Sequence, residues 1–207
     1  MLMEIKKEIS FPLDVEKSLA IAQNILNRLE DKEANFMYLL KLIFFADRYH
    51  FRKYLRPSTS DKYFAMKRGA VASYLYDIFK NGTNDERIKK IGDYTVQLTG
   101  EPQYQEKLSQ SDIEAIDFSF NNFGKYSDMV LSDICHAYPE WKKFEKELNS
   151  RDGRKSILMD MRDFLEDADP EDNIFRKNKM SDPFEPIPKE EKEILETQLV
   201  EIHSQIA

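Results

Sequence analysis

The sequence predicts a mainly α-helical domain of the α+β class, with a small antiparallel β-sheet, an extended C-terminal arm and a last helix. Apolar residues recur at helical spacing through most of the chain, whereas only two short stretches favour strands. Residues 166–188 are acidic, proline-rich and without periodicity, which is typical of a linker. For a chain of 207 residues we therefore expect one domain at 12–165, a linker at 166–188 and a helix at 189–207.

The first half of the chain is predicted to contain three helices. An amphipathic helix spans residues 14–30, and a second helix, at 33–54, is apolar at almost every position from Phe36 to Ala46. A helix that is apolar on nearly every side must be enclosed by other elements, so this helix should form the core. It is too short for a bilayer, which needs about 20 apolar residues. A third helix is predicted at 71–80.

Two strands are predicted between and after these helices, at residues 63–67 and 94–98, with Gly69 as a turn. We expect them to pair with each other, because a lone strand leaves its backbone groups unpaired. The second half should be helical again. Its predicted helices begin at Ser109 with a capping-box pattern and span 128–135, a segment starting at Pro139, 156–165 and 189–206.

Composition and charge limit the function classes. The net charge is −7 and 41% of residues are hydrophobic, so the chain can form a core, but its surface repels a phosphate backbone unless cations cluster locally. Cys135 is the only cysteine, and the N-terminus has no signal-peptide pattern, so we expect a cytoplasmic protein. No Walker, HExxH, GxSxG or CxxC motif is present.

Two ionisable residues, Asp47 and His50, share a helical face with the apolar stripe of the core helix. Buried ionisable groups need partners or a task. One interpretation is a polar network completed by His136 or by the backbone near Lys67; the other is a metal or acid–base site of Asp47, His50 and His136. We favour the network, because these residues lack a spaced ligand motif, and we predict no catalytic residue, metal or cofactor. His203 is expected to be exposed.

Two surfaces are candidates for binding a partner. The first is the only basic cluster of this acidic chain, for which we single out Arg48, Arg52, Lys67 and Arg68. It is either a solvated helix end or a contact with a partner, and nucleic acid is the less favoured occupant. The second is the apolar stripe of the last helix, formed by Leu195, Leu199, Ile202 and Ile206. This stripe can pack in cis, swap into another copy or bind a partner.

An ordered set of short motifs runs through residues 15–148. In chain order it comprises an apolar run ending in aspartate (40–47), then Tyr63, Ala65, Met66, Gly69 and Val71, then Leu108-Ser109, Tyr126-Ser127, Leu131-Ser132-Asp133, His136 and Pro139-Glu140-Trp141. This order resembles the Panacea domain, the SocA-like antitoxin module of bacterial and phage toxin–antitoxin pairs. One departure is Ala70, where the family has a proline after the glycine. From these motifs and from the stripe of the core helix, we expect a structural role for Asp47, His50, Tyr63, Met66, Gly69, Val71, His136 and Trp141.

The resemblance implies an antitoxin without enzymatic activity. It would bind a toxin encoded beside it and neutralise that toxin either by occlusion or by delivery to a protease such as ClpXP. A homodimer is left open, and neither a membrane nor nucleic acid is an expected partner. The alternatives are a phage-encoded regulatory or DNA-binding protein and a metal-dependent enzyme that uses Asp47, His50 and His136.

Overall fold

Helix α2, Phe36–Tyr54, lies at the centre of the fold in a computed structural model that describes residues 9–82 and 85–206. Within those ranges the fold is mainly helical α+β, as predicted. The α-helices are α1 (Val15–Asn27), α2, α3 (Ser73–Asn81), α4 (Gln110–Phe123), α5 (Asp128–Cys135), α6 (Pro139–Lys142), α7 (Glu145–Asn149), α8 (Asn173–Lys177) and α9 (Lys189–Ile206). The strands are β1 (Glu33–Asn35), β2 (Tyr63–Met66), β3 (Gly69–Ala72), β4 (Ile88–Lys90), β5 (Thr95–Leu98) and β6 (Ser156–Leu158).

The central position of α2 confirms the interpretation of its apolar sequence. Thirteen of its 19 residues are buried, and α1, α3, α4, α5 and β3 all contact it. Aromatic side chains fill much of the space between these elements: Phe45 stacks on Phe123 of α4 with ring centroids 3.8 Å apart. Cys135 is also buried, as expected for a small core residue.

Hydrogen bonds between near neighbours define the starts of α1 and α4, which lie where the sequence predicted them. Asp14 accepts a hydrogen bond from the Lys17 amide at the start of α1, and Ser109 forms a capping box with Asp112 at the start of α4. Gly124 follows the last residue of α4. The capping box depends on groups that are close in the sequence, so its pattern at Ser109 was sufficient to predict the start of α4.

The predicted strand pairing is wrong. In place of one sheet, the described part of the chain forms two three-stranded antiparallel sheets, with strand orders β1-β5-β4 and β3-β2-β6. Strand β2 pairs with β3 through a tight turn at Lys67 and Arg68, and with β6 on its other side. Strand β5 pairs with β1 and β4. Each hairpin satisfies its backbone locally, so β2 and β5 do not need each other.

Gly69 explains why a strand replaces the start of the predicted helix at 71–80. Its φ of +94° follows the turn, and a Cβ at this position would lie 3.0 Å from both the Cys135 Cβ and the Lys41 Nζ. The chain therefore continues as β3, and α3 begins only at Ser73. The helix predicted at 156–165 is also wrong: β6 is followed by a 3₁₀ helix, Met161–Leu165.

The C-terminal region lies against the domain. Residues 166–188, predicted as a linker, contain α8, and the side chains of Phe175 and Phe184 are buried. In α9, Leu199 is buried and Leu195 and Ile202 pack against the core, so the apolar stripe packs in cis. The side chain of Ile206 is outside the described part of the chain. The division into 12–165, 166–188 and 189–207 remains a prediction.

His203 is 7% exposed, so the expectation that it faces solvent is wrong. It follows Leu199 by one helical turn and therefore lies on the buried face of α9. Within residues 9–82 and 85–206, none of the helices combines the length and the apolar character that crossing a bilayer requires.

Candidate partner-binding site

Asp47 is fully buried and binds the segment that follows α2. Its carboxylate accepts hydrogen bonds from the Ser58 amide (2.8 Å), the Thr59 amide (3.0 Å) and the Tyr63 hydroxyl (2.8 Å), and from the Thr59 hydroxyl. Burial raises the pKa of Asp47 to about 6, although these donors favour the ionised form. The carboxylate thus fixes the connection between α2 and β2.

His50 is also buried and lies one turn further along α2. Its Nδ1 is 2.6 Å from the Arg56 carbonyl oxygen and its Nε2 is 3.0 Å from the Ser111 Oγ. Burial lowers the pKa of His50, which favours the neutral ring. In that state Nδ1–H donates to Arg56 and Nε2 accepts from Ser111. His50 therefore links the end of α2 to the start of α4.

His136 does not join either group. Its ring stacks on Trp141 with centroids 3.6 Å apart, and burial lowers its pKa to about 4. The Trp141 Nε1–H donates to the Met66 carbonyl oxygen at 2.8 Å. As predicted, Asp47 and His50 are buried and hydrogen-bonded, but the predicted partners, His136 and the backbone near Lys67, are wrong. No cluster of three or more potential metal ligands occurs among the residues the structure describes.

We predict that Asp47→Ala lowers the free energy of unfolding by about 1–3 kcal/mol, because it leaves buried donors without their acceptor. Chemical denaturation with circular dichroism measures this change. Glu101→Ala, at an exposed acid, should have almost no effect. If Asp47→Ala is as stable as the parent but loses binding of a partner, Asp47 acts in recognition and its structural role is excluded.

The predicted basic patch is divided by the fold, because Arg48 is fully buried. Its Nε lies 3.2 Å from the Glu140 Oε1, and its guanidinium lies over the rings of Tyr138 and Phe184, at 4.5 and 4.8 Å. It also donates to the carbonyl oxygens of Phe164 and Glu166. Arg48 cannot contact a partner at the surface, so its prediction as a partner-binding residue is wrong.

Arg52 is also engaged inside the protein, with a side chain that is 7% exposed. It donates to Asp167 at 2.6 Å and to the Glu185 carbonyl oxygen at 2.7 Å. Arg48 and Arg52 thus hold the C-terminal segment on the domain. Only Lys67 and Arg68 of the predicted patch remain exposed, at the β2–β3 turn.

Lys67 and Arg68 line a groove of about 750 Å³, which we call the basic groove. Its walls are the β2–β3 turn, the residues around the β4–β5 turn and the loop at 148–155. Among the residues that the structure describes, six cations and a single acid, Asp93, line it. The cations are Lys67, Arg68, Lys80, Arg151, Arg154 and Lys155.

Three aromatic rings also line the basic groove. Phe36 stacks on Tyr94 with ring centroids 5.7 Å apart, and Tyr76 meets Phe36 edge-on at 6.2 Å. Tyr94 is nevertheless 59% exposed. The sequence analysis did not identify Tyr94 or the cations of the loop at 148–155 as site residues. The closely spaced Arg151, Arg154 and Lys155 in an acidic chain were the available signal.

The family comparison gives a match over residues 39–142, just over half of the chain, to the family described as antitoxin SocA-like, Panacea domain. The chain belongs to this family. Comparisons with curated proteins and with solved structures found no match. The family assignment confirms the resemblance found in the sequence.

The Panacea match contains most of α2, both β-hairpins, and α4 to α6. It therefore contains the two walls of the basic groove that carry Lys67, Arg68 and Tyr94. The third wall, at 148–155, lies outside the matched residues, as do the arm and α9.

Proposed function

We propose that this chain is the antitoxin of a bacterial or phage toxin–antitoxin pair, and that it binds and neutralises one protein toxin without turnover of its own. Membership of the SocA-like Panacea family, which implies a toxin–antitoxin role, carries the proposal. The toxin would be encoded beside this chain.

The buried ionisable residues support a binding role over the metal-dependent enzyme. Asp47, His50 and His136 have separate partners, so they do not form a common acid–base or ligand set. The contacts of Asp47 and His50 instead connect α2 to β2 and α4, and His136 stacks on Trp141 of α6. We place the function at the surface, on groups whose interactions within the chain leave them accessible.

Occlusion of the toxin is the mechanism that we favour. Among the described residues, the arm and α9 are the segments that could tether a toxin for delivery to a protease such as ClpXP, and both are packed against the domain. In the apolar stripe of α9, the side chains of Leu195, Leu199 and Ile202 already pack against the domain. We therefore place the toxin on the domain surface.

A regulatory, DNA-binding function is the second candidate, because the basic groove concentrates cations on one face. The net charge of −7 argues against it. A mobility-shift assay with promoter DNA at physiological salt tests this candidate. We expect no shift.

We predict that co-expression of this chain restores the growth of cells that express the neighbouring reading frame, and that the two proteins co-purify. Affinity purification through a tag on either protein, followed by size-exclusion chromatography, detects the complex. The physical reason is that a bound antitoxin covers the active surface of the toxin.

An unrelated acidic protein, expressed at the same level, is the control for this experiment. Rescue without co-purification would contradict occlusion and favour a transcriptional role. If the neighbouring protein is neither toxic nor bound, the antitoxin proposal is wrong.

A further inference from the structure

We infer that the basic groove is the toxin-binding site, and that it takes a short acidic segment of the toxin. The inference rests on the proposed function and adds to it a location and the chemistry of the partner.

The first argument is charge. The described residues that line the basic groove include six cations and one acid, a net charge of +5, so the rest of this chain of net charge −7 carries −12. Arg154 pairs with Glu147, and the Lys80 ammonium lies 5.3 Å from the Tyr76 ring centroid. The side chains of Lys67, Arg68, Arg151 and Lys155 have no acidic partner among the described residues. They are therefore available to a carboxylate from outside.

The second argument is the aromatic wall. Tyr94 keeps more than half of its surface exposed, while its ring rests on Phe36. A partly exposed but supported tyrosine beside arginines is typical of an interface anchor, because it loses little conformational entropy on binding. The basic groove thus offers both an apolar contact and charge-assisted hydrogen bonds.

The third argument is the way in which the walls are held. Gly69, with its positive φ, sets the β2–β3 turn next to buried Lys41, whose ammonium donates to the Ala70 carbonyl oxygen at 2.6 Å. The Trp141 ring holds the Met66 carbonyl from the other side. A site whose walls are fixed before binding avoids part of the ordering cost.

Size and charge together select the occupant. A groove of about 750 Å³ is in the range of pockets that enclose a short ligand. A nucleic acid would continue beyond it, onto the rest of the protein, whose residues carry a formal net charge of −12, and would be repelled there. A short acidic peptide segment can end where the cations end, so it fits the distribution of charge better.

The test compares two double charge reversals in the full-length chain. Arg68→Glu with Arg151→Glu changes two walls of the basic groove. Lys125→Glu with Lys179→Glu changes the net charge equally at exposed sites elsewhere. We expect the groove variant to bind the purified toxin about 30-fold more weakly or worse, and the control variant to bind as the parent does. Calorimetry gives the affinities, and thermal unfolding shows whether each variant is folded.

Salt dependence and an oligonucleotide distinguish the possible occupants. Binding of the toxin to the parent should weaken as salt rises from about 0.05 to about 0.3 M. A groove variant that is folded and binds the toxin normally overturns the inference but leaves the proposed function intact. If the parent binds a short oligonucleotide and the groove variant does not, while both bind the toxin equally, the groove is a nucleic-acid site. That result also overturns the inference. If the parent does not bind the toxin, both proposals fail.

A photo-crosslink identifies the segment directly. Tyr94→p-benzoyl-phenylalanine in the full chain should crosslink to a toxin peptide that is rich in Asp and Glu. Reversing two acids of that peptide to Arg should then restore binding to the Arg68→Glu, Arg151→Glu variant. A crosslink to a neutral or basic segment overturns the inference.

Discussion

Arg48→Met is expected to lower the free energy of unfolding by about 3–5 kcal/mol, because removing one partner of a buried ion pair leaves the other without compensation. Glu140 is fully buried, and neither of its carboxylate oxygens has a hydrogen-bond partner among the described residues. Arg48 is its nearest opposite charge. The substitution also removes the donors to Phe164 and Glu166 that hold the start of the C-terminal segment.

The loss of stability caused by Arg48→Met should depend on pH in a defined direction. Burial raises the pKa of Glu140 from 4.5 to about 7, and the charge of Arg48 opposes this rise. Without Arg48, the pKa of Glu140 in the folded protein is higher still. Between the unfolded and folded pKa values the native state binds more protons than the unfolded state, so the free energy of unfolding falls as the pH rises above about 4.5. We therefore expect a smaller loss for Arg48→Met at pH 5 than at pH 8, measured by urea denaturation.

The double variant Arg48→Met, Glu140→Leu is the matched control. It removes both charges, and replacing a buried ion pair by apolar residues is often neutral. We expect it to recover much of the loss and to remove the added pH dependence. Equal losses at pH 5 and pH 8 for the single variant would show that packing and the contacts with the C-terminal segment, and not the stranded carboxylate, are responsible.

The sequence was sufficient for features that depend on near neighbours in the chain. The apolar run of α2 predicted the core, and the capping-box pattern at Ser109 marked the start of α4, because each signal involves groups within about one helical turn. The ordered motifs predicted the family. Burial of Asp47 and His50 also followed from their place on the apolar face of α2.

The sequence was insufficient where a distant segment decides the outcome. The sequence placed Arg48 and Arg52 at an exposed helix end. In the structure they donate hydrogen bonds to the arm, whose acceptors lie more than 100 positions later. Strand β6 pairs with β2 across a similar separation and replaces a predicted helix. The third wall of the basic groove, at 148–155, is far in sequence from Lys67 and Tyr94. Periodicity and capping contain no information about such contacts.

Phe44→Ala is expected to lower the free energy of unfolding by about 3–5 kcal/mol, because it leaves a cavity at the centre of the core. Phe44 is fully buried on α2. Its ring centroid lies 5.2 Å from that of Phe45, 5.6 Å from that of Tyr63 and 5.7 Å from that of Phe164. The side chain therefore joins α2 to β2 and to the 3₁₀ helix, and the loss should reach all three elements.

Two further variants make the Phe44 experiment specific. Phe44→Leu leaves a smaller cavity and should cost less than Phe44→Ala. Met129→Ala removes an apolar side chain that is 76% exposed and should change the stability by less than about 0.5 kcal/mol. Urea denaturation followed by circular dichroism gives all three values. If Phe44→Ala costs no more than Met129→Ala, α2 is not the core of this fold. Because the walls of the basic groove are built on α2 through Phe36 and Lys41, the site would then have to be placed elsewhere.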